Sequence, residues 1–276
     1  MRRTLTTGLR HAALLVSAAA FLAPVAFLVV GSFKPEGRIL ADAGSWRAFF
    51  PAHWTLDNYR DVFARVDFVR FLLNSLLING AMVLSGLAVN SLAAYALARL
   101  RWAGRPFVLG LVLATLVVPF EAIAVPLFYG LSAIGWRDDW SVQVVPFVAN
   151  PLSIWLFYVF FAGLPRELEE AARVDGAGVL RTFLTVVVPN ARAAFATVAI
   201  VTLLFYWGMY LWPLLMTAGP HARPLPLAIA TFYTLPPLRW GDILAFGTLM
   251  VAPVLLLFIL FQRAFVRGVA ATGIKG

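Results

Sequence analysis

Few side chains in this sequence have the types and spacing that chemistry at a site requires. The 276 residues include no cysteine, which excludes disulfides, thiolate catalysis and cysteine-bound metal. The three histidines, His11, His53 and His221, are too far apart in the sequence to indicate a metal site. The acidic pair Asp138-Asp139 in GWRDDW is typical of a solvated turn. We therefore predict neither catalytic residues nor a metal site.

A charged segment stands out in this apolar chain, because residues 164–192 read LPRELEEAARVDGAGVLRTFLTVVVPNAR. Pro165 suits the first position of a helix, and the glutamates that follow lie where the positive end of a helix favours acids. Asp175-Gly176 indicates a turn, since glycine adopts backbone angles that other residues resist. A second helix follows and ends at Pro189. Helical spacing assigns each helix an apolar face, formed by Leu164, Leu168, Ala171 and Ala172 in the first and by Leu180, Phe183, Leu184 and Val187 in the second. Periodicity alone is typical of a helix pair resting on lipid head groups.

The elements that position this segment are predicted to be membrane spans. The chain is 62% apolar and 13% charged, whereas about a quarter of the residues of a soluble protein are charged. A span needs about 20 apolar residues, and six runs qualify: 11–33, 71–98, 106–130, 142–164, 194–217 and 243–262. The first run is longer than the apolar core of a signal peptide, which favours an uncleaved anchor. We predict an all-α, polytopic membrane protein with one domain over 1–276.

The distribution of charge predicts the orientation of these spans. If the N-terminus is cytoplasmic, the inner segments hold 13 of the 22 basic residues and four of the 13 acidic ones, which accounts for the whole net charge of +9. Lys and Arg concentrate on the cytoplasmic side of membrane proteins. Both termini are therefore predicted to be cytoplasmic, in a multi-pass protein of the bacterial inner membrane. The positive charge reflects topology and does not indicate nucleic-acid binding.

The order of residue types in the charged segment resembles the cytoplasmic signature of permease subunits of bacterial ABC importers. The pattern is E-A-A-x-x-D-G-A, a Phe further on, and then apolar-x-apolar-Pro. The matching residues are Glu170, Ala171, Ala172, Asp175, Gly176, Ala177, Phe183, Val186, Val188 and Pro189, and Arg173 lies inside the pattern. The resemblance implies that loop 165–192 carries a coupling helix, which sits in a surface cleft of an ATPase subunit. Glu170 and Asp175 would offer charge-assisted contacts to basic groups of that partner.

The resemblance covers nearly the whole chain. The stretches 74–105, 210–215 (YLWPLL) and 261–276 are similar to carbohydrate-uptake permeases of the maltose-permease type. This implies the type I ABC importer permease fold, with a five-helix core and one extra N-terminal span. The implied partners are a second, homologous permease, two ATPase subunits, an extracytoplasmic solute-binding protein and the lipid bilayer. Because the chain lacks the pattern G-x-x-x-x-G-K-[ST], ATP and Mg²⁺ are expected on the ATPase subunits and no cofactor or enzymatic activity on this chain.

Polar and aromatic residues within the spans are candidates for lining a solute pathway. Glu121 interrupts an apolar run, and such carboxylates usually face a cavity or a partner, although an interfacial or helix-packing role is an alternative. Asn79 and Asn90 share a face of the second span, where hydrogen bonds between helices are the favoured role. Trp207, Tyr210 and Trp212 suit either sugar rings or the membrane interface. Relatives commonly have Trp-Asn where this chain has Trp207-Gly208, which weakens the transfer of solute contacts.

Other functions remain open from sequence alone. An ion-coupled secondary transporter would need carboxylates or broken helices at matched positions of two repeats, and Glu121 has no counterpart. A membrane-embedded structural or assembly factor is a second alternative. The same import mechanism with a glycerol phosphodiester or another polar solute is a third. The sequence does not identify the solute.

Overall fold

A computed structural model describes residues 2–234 and 236–273, so that Lys275, at the predicted cytoplasmic C-terminus, lies outside the described residues. Within these ranges every regular element is helical. In chain order the α-helices are α1 Arg2–Ser32, α2 Glu36–Asp42, α3 Asp57–Arg65, α4 Phe68–Arg99, α5 Arg105–Thr115, α6 Phe120–Ala133, α7 Trp140–Val144, α8 Pro151–Ala162, α9 Glu167–Val174, α10 Val179–Thr182, α11 Val188–Asn190, α12 Arg192–Trp207, α13 Leu211–Met216, α14 Leu225–Ala228, α15 Thr231–Thr234 and α16 Trp240–Gly273. Single 3₁₀ turns occupy Trp46–Ala48 and Val145–Phe147, and a π-helical turn occupies Phe183–Val187.

Three of the helices are long and apolar enough to cross a membrane unbroken. These segments are Thr7–Ser32, Phe68–Arg99 and Trp240–Leu257. Three further candidates are pairs of helices bent at a short break, by 100° after Thr115, by 44° after Phe147 and by 81° after Asn190. The described residues therefore provide six spans if each bent pair counts as one.

None of the predicted third, fourth and fifth spans is a single helix. The fourth, residues 142–164, falls into the end of α7, a 3₁₀ turn and α8, with a bend of 44°. Residues 106–130 fall into α5 and α6, and the chain turns by 100° in the four residues between them, where Pro119 precedes α6. Residues 194–217 fall into α12 and α13, which are separated at Gly208. Proline removes a backbone donor and glycine weakens a helix, so these residues place the breaks.

The chain separates into two compact units. The first comprises Met1–Val69 and Ala228–Leu255, and the second comprises Arg70–Leu227 and Leu256–Gly276. The single domain over 1–276 stays a prediction.

In the first unit, polar side chains join the segment 36–65 to the start of α16. The carboxylate of Glu36 accepts hydrogen bonds from the backbone amides of Trp240 and Gly241, at 2.8 and 2.7 Å. The guanidinium of Arg65 donates to Asp242 at 2.5 Å, and Asp242 is completely buried. Arg239 adds an ion pair with Asp61. Ion pairs and hydrogen bonds therefore join these segments, in addition to the packing of buried apolar residues such as Val62 and Phe246.

In the second unit, a buried cluster joins several helices. Its members come from α4, α8, the π turn and α12, and include Tyr95, Phe157, Phe161, Phe183, Val187 and Val198. Side-chain amides add specific links: Asn90 donates to the carbonyl of Val148 at 3.0 Å and accepts from the amide of Asn150 at 2.9 Å. The predicted interhelical role is confirmed for Asn90, whereas Asn79 donates within its own helix, to the carbonyl of Ser75.

The acidic pair Asp138-Asp139 is hydrogen-bonded as well as solvated, so the predicted solvated turn was incomplete. Asp138 accepts from the backbone amides of Ala218 and Gly219, at 3.0 and 3.3 Å. Asp139 caps α7 by accepting from the hydroxyl and the backbone amide of Ser141. These two bonds favour the charged carboxylate, so the pKa of Asp139 is lowered from its ordinary value.

Replacing Asp242 should destabilise the first unit. In Asp242→Asn, the guanidinium of Arg65 would lose a buried counter-charge, at a cost of about 3 kcal/mol. The measurement is the apparent unfolding temperature of the purified protein in detergent, where a clear decrease is expected. Asp57→Asn is the matched control: its ion pair with Arg60 is exposed, so its removal should have almost no effect. Equal unfolding temperatures for the two variants would contradict the assignment.

Candidate functional site

The tip of the 165–192 segment is a helix that ends in a Schellman motif. Helix α9 is followed by Gly176, whose φ is 79°, in the left-handed region. The amide of Ala177 donates to the carbonyl of Ala172 at 2.9 Å, and the amide of Gly176 donates to that of Arg173 at 3.0 Å. This pair of bonds requires a left-handed residue after the helix cap. The predicted turn at Asp175-Gly176 is confirmed, and the geometry explains why glycine occupies position 176.

A buried ion pair fixes α9 to the end of α4. The Nε of Arg99 donates to Glu169 at 2.5 Å, and only 4% and 7% of the two side chains are exposed. The same guanidinium donates to the carbonyls of Leu164 at 3.0 Å and Phe161 at 3.3 Å. The hydroxyl of Tyr95 lies 3.5 Å from the other oxygen of Glu169. One arginine therefore links α4, the residues that end α8, and α9.

A second, apolar contact fixes the part of the segment that follows the tip. In the π turn, Phe183 and Val187 are buried, and the ring of Phe183 lies 5.1 Å from that of Tyr95 and 6.3 Å from that of Phe161. The predicted face of this helix was partly wrong, because Leu180 and Leu184 are exposed. Thr182 is buried in their place, and the wide π turn changes the helical spacing on which the prediction depended.

The predicted partner-facing residues lie mostly on the exposed side of the tip. Glu170, Ala171, Arg173, Asp175 and Gly176 are exposed, whereas Ala172 and Ala177 are half-buried. The predicted apolar face of α9 was wrong, because Leu168 and Ala171 are exposed and Glu169 is buried instead. Apolar side chains surround the tip: Leu168, Val174, Val179, Leu180 and Leu184 are all at least 41% exposed. Such an apolar rim next to charged residues is typical of an interaction surface.

A polar groove of about 370 Å³ runs beside α9. It is lined by Arg99, Leu100, Arg101, Arg166, Glu169, Glu170 and Arg173. Glu169 is already paired with Arg99, whereas Glu170 has no ion pair among the residues that the structure describes and lines a groove in which arginines predominate. The site can therefore take up charged groups of both signs.

Sequence reasoning missed Arg99 and Glu169, which hold the tip in place. The available signal was weak, because Arg99 is one of three arginines in a basic corner and Glu169 one of three glutamates in α9. Their pairing depends on how α9 lies against α4, which only the structure shows.

The predicted pathway residues do not share one cavity. Asn79 and Trp207 line a small cavity of about 10 Å³, together with Gln143 and Tyr206. Asn79 donates to the carbonyl of Ser75 in its own helix, at 2.8 Å. Within the described residues, the Oδ1 of Asn79 and the Nε2 of Gln143 are buried without a hydrogen-bond partner. An acceptor and a donor thus remain free at a closed cavity with aromatic walls.

Trp212, Tyr210 and Glu121 occupy different surroundings. Trp212 is fully buried, its Nε1 donates to the carbonyl of Val142 at 3.0 Å, and its ring packs against Phe120 and Phe147, which favours a structural role. Tyr210 is 42% exposed. Glu121 is exposed in the first turn of α6, where the helix dipole favours an acid.

A larger cavity of about 650 Å³ lies between the break after α5 and the end of α12. Most of its wall is apolar, with Phe120, Ile123, Phe205 and Met209 among the lining residues, and Asn150, Ser153, Thr202 and Tyr206 provide polar groups. Asn150 donates to the hydroxyl of Tyr206 at 3.1 Å, so two of these four polar side chains are connected. No cluster of three metal-binding side chains occurs among the residues that the structure describes.

Removing the charge of Glu169 should loosen the tip. In Glu169→Gln, Arg99 would remain buried without a counter-charge, which costs about 3 kcal/mol. We expect faster proteolytic cleavage within 175–178 and a lower unfolding temperature. The matched control is the neighbouring Glu170→Gln, which removes an exposed carboxylate and should change stability by about 0.5 kcal/mol or less. If both variants are cleaved at the wild-type rate, Glu169 does not anchor the tip.

Comparison with known proteins agrees with this architecture. Residues 86–271 match the family described as "Binding-protein-dependent transport system inner membrane component". The chain is 32% identical over 260 residues to the arabinooligosaccharides transport system permease protein AraQ of Halalkalibacterium halodurans, covering 93% of each chain. It is 30% identical over 260 residues to the trehalose/maltose transport system permease protein MalG of Thermococcus litoralis, covering 92% of each.

A solved structure shares the fold. It is the crystal structure of a bacterial ABC transporter involved in the import of the acidic polysaccharide alginate, with a TM-score of 0.82 and 21% identity over 96% of this chain and 98% of the other. The resemblance found in the sequence and the predicted all-α permease fold are thereby confirmed. The chain belongs to the family of inner-membrane permease components of binding-protein-dependent ABC transport systems.

Proposed function

We propose that this permease subunit moves a carbohydrate or a related polyol into the cell by ATP-driven alternating access. The observation that supports this cargo is the similarity, over more than nine-tenths of the chain, to permeases named for oligosaccharide and disaccharide transport. A glycerol phosphodiester is not favoured by these relatives. An ion-coupled mechanism is not favoured either, because Glu121 is exposed at a helix start.

The proposed assembly contains this chain, a second, homologous permease, two ATPase subunits and an extracytoplasmic solute-binding protein. The family description, with its dependence on a binding protein, supports the last of these. The missing phosphate-binding pattern supports separate ATPase subunits, which would hold ATP and Mg²⁺. The apolar cavity of about 650 Å³, with exposed Phe205 and Ile123 on its wall, suits the packing of a second permease and the path between them.

In the proposed mechanism the tip of the 165–192 segment docks in a cleft of the ATPase subunit. Exposed Glu170 and Asp175 would pair with basic groups of that cleft, while Val174 and Leu180 would bury apolar surface. When the ATPase subunits close, α9 moves with them. The Arg99–Glu169 pair and the packing of Phe183 against Tyr95 would carry this movement to α4, a single helix of 32 residues that includes the second span.

Transport by the reconstituted complex tests this proposal. Proteoliposomes that contain the complete complex and its binding protein should take up at least one labelled sugar from a panel of maltose, trehalose and arabino-oligosaccharides, and only with ATP inside.

Glu170→Arg should lower this uptake about tenfold or more, since a like charge would face the basic groups of the cleft. Glu167→Arg, an equal change of an exposed acid outside the matched pattern, should leave most of the uptake. Full uptake by Glu170→Arg would refute the docking role, and uptake of none of the sugars would refute the cargo class.

The proposed orientation places the loop 100–104 and both termini in the cytoplasm and the segment 34–67 outside. Because the chain has no cysteine, single-cysteine variants give labelling without background. Ala43 and Ala103 are both exposed and lie on opposite sides of the membrane in this orientation. A membrane-impermeant maleimide should label Ala43→Cys in intact spheroplasts, but Ala103→Cys only after permeabilisation. The reverse pattern would overturn the orientation.

A further inference from the structure

A cavity of about 450 Å³ lies just beyond the end of α1, in the segment 34–53. Its wall includes three cationic side chains, one carboxylate, one histidine and large aromatic rings. The charged and aromatic members used below are Lys34, Arg38, Asp42, Trp46, Arg47 and Phe50. The transport mechanism described above uses none of these residues.

The floor of this cavity is built around a buried lysine. Lys34 is 1% exposed, and its Nζ donates to the carbonyl of Arg47 at 2.6 Å and to the carboxylate of Asp42 at 3.4 Å. An ammonium group has three donors, so one donor of Lys34 is left over. Asp42 is the counter-ion of Lys34, because its carboxylate accepts one of the hydrogen bonds from the Nζ.

The guanidinium groups of the two arginines in the wall are available to bind an anionic ligand. Within the described residues, neither Arg38 nor Arg47 forms an ion pair with a carboxylate, and the guanidinium of Arg47 rests over the ring of Trp46 at 5.9 Å. The nearby Glu36 is occupied, since its two oxygens accept from backbone amides of α16. The cavity is consequently cationic and suits a monoanion that can accept several hydrogen bonds.

The cavity lies at the level of lipid head groups. Lys34 follows Ser32, where the apolar first span ends, by only two residues. The ring of Phe49 contacts that of Phe27 edge-on, with 6.5 Å between centroids. Phe27 lies five residues, or about 7.5 Å, inside the end of the span, so the 46–50 turn reaches down along α1. Trp46 and Phe50 are 70% and 68% exposed there, as is typical of aromatic side chains at a membrane interface.

We propose that this cavity binds the phosphodiester head group of an anionic phospholipid from the adjoining leaflet. Arg38 and Arg47 bind the phosphate oxygens, and the remaining donor of Lys34 faces the same anion. Trp46 and Phe50 lie against the glycerol and upper acyl region. Inorganic phosphate is also an anion, but it has no apolar part that could contact the exposed rings of Trp46 and Phe50. The site is separate from solute transport and does not depend on the cargo.

Lipid binding by the purified complex tests this inference. The complete complex, in neutral detergent, is titrated with short-chain phosphatidylglycerol, and bound lipid is counted by native mass spectrometry. Parallel titrations use phosphatidylcholine of the same chain length and inorganic phosphate. Phosphatidylglycerol should bind, and the affinity should fall about fivefold in Arg38→Gln and about 25-fold in the double variant with Arg47→Gln, since each basic residue near an anionic surface contributes about a factor of five.

Two matched variants keep the result interpretable. Arg60→Gln removes an exposed arginine of the same outer segment, away from the cavity, and should leave the affinity unchanged. The charge-retaining pair Arg38→Lys and Arg47→Lys should keep binding within about threefold, because each lysine still places one positive charge near the anion, and this separates loss of charge from misfolding. Wild-type affinity in the double glutamine variant, equal binding of phosphatidylcholine, or equal competition by inorganic phosphate would each overturn the lipid site.

Discussion

The buried ion pair between Arg99 and Glu169 is the contact on which the arrangement of the 165–192 segment depends. An isolated carboxylate is expensive to bury, and Glu169 is stabilised in the interior by Arg99 and, at 3.9 Å, by the more exposed Arg173. The arginine satisfies backbone carbonyls at the end of α8 with its other donors. A planar group with five donors in a fixed fork can bind a carboxylate and several carbonyls at once, which is more than the three donors of a lysine allow. A single side chain thereby connects α4, the end of α8 and α9.

The Schellman motif supplies the complementary constraint at the tip. The left-handed glycine ends α9 after two turns and reverses the chain, so the tip stays short and stands clear of the apolar cluster behind it. The π turn then returns the chain to that cluster through Phe183. The exposed edge between these two anchors can be recognised by a partner while its two ends stay fixed. This combination of a rigid base and an accessible edge suits a part that transmits force.

Those features that depend on local chemistry could be predicted from the sequence. The length of the apolar runs indicated the spans, and the glycine at 176 indicated the turn, because each follows from the chain itself. The breaks in the third and fifth predicted spans were missed, since proline within an apolar run either kinks a helix or ends it, according to its neighbours. Glu169 and Glu170 are adjacent glutamates, and which of them faces α4 depends on how α9 packs against that helix. The local sequence does not determine this tertiary contact. Trp212 and Tyr210 lie in the same aromatic stretch of the sequence, but Trp212 is buried in the core and Tyr210 is exposed.

The first helix has a different relation to the rest of the molecule. The most apolar window of α1 buries none of its residues, in contrast to a third of the corresponding windows in α4 and α16. Residues 7–22 of this helix are exposed, whereas Phe27, nearer its end, packs against Phe49. The exposed side chains are constrained mainly by solubility in hydrocarbon, so exchanges among leucine, valine, alanine and phenylalanine there carry little penalty. The first half of α1 is therefore a tolerant place to attach a fluorophore.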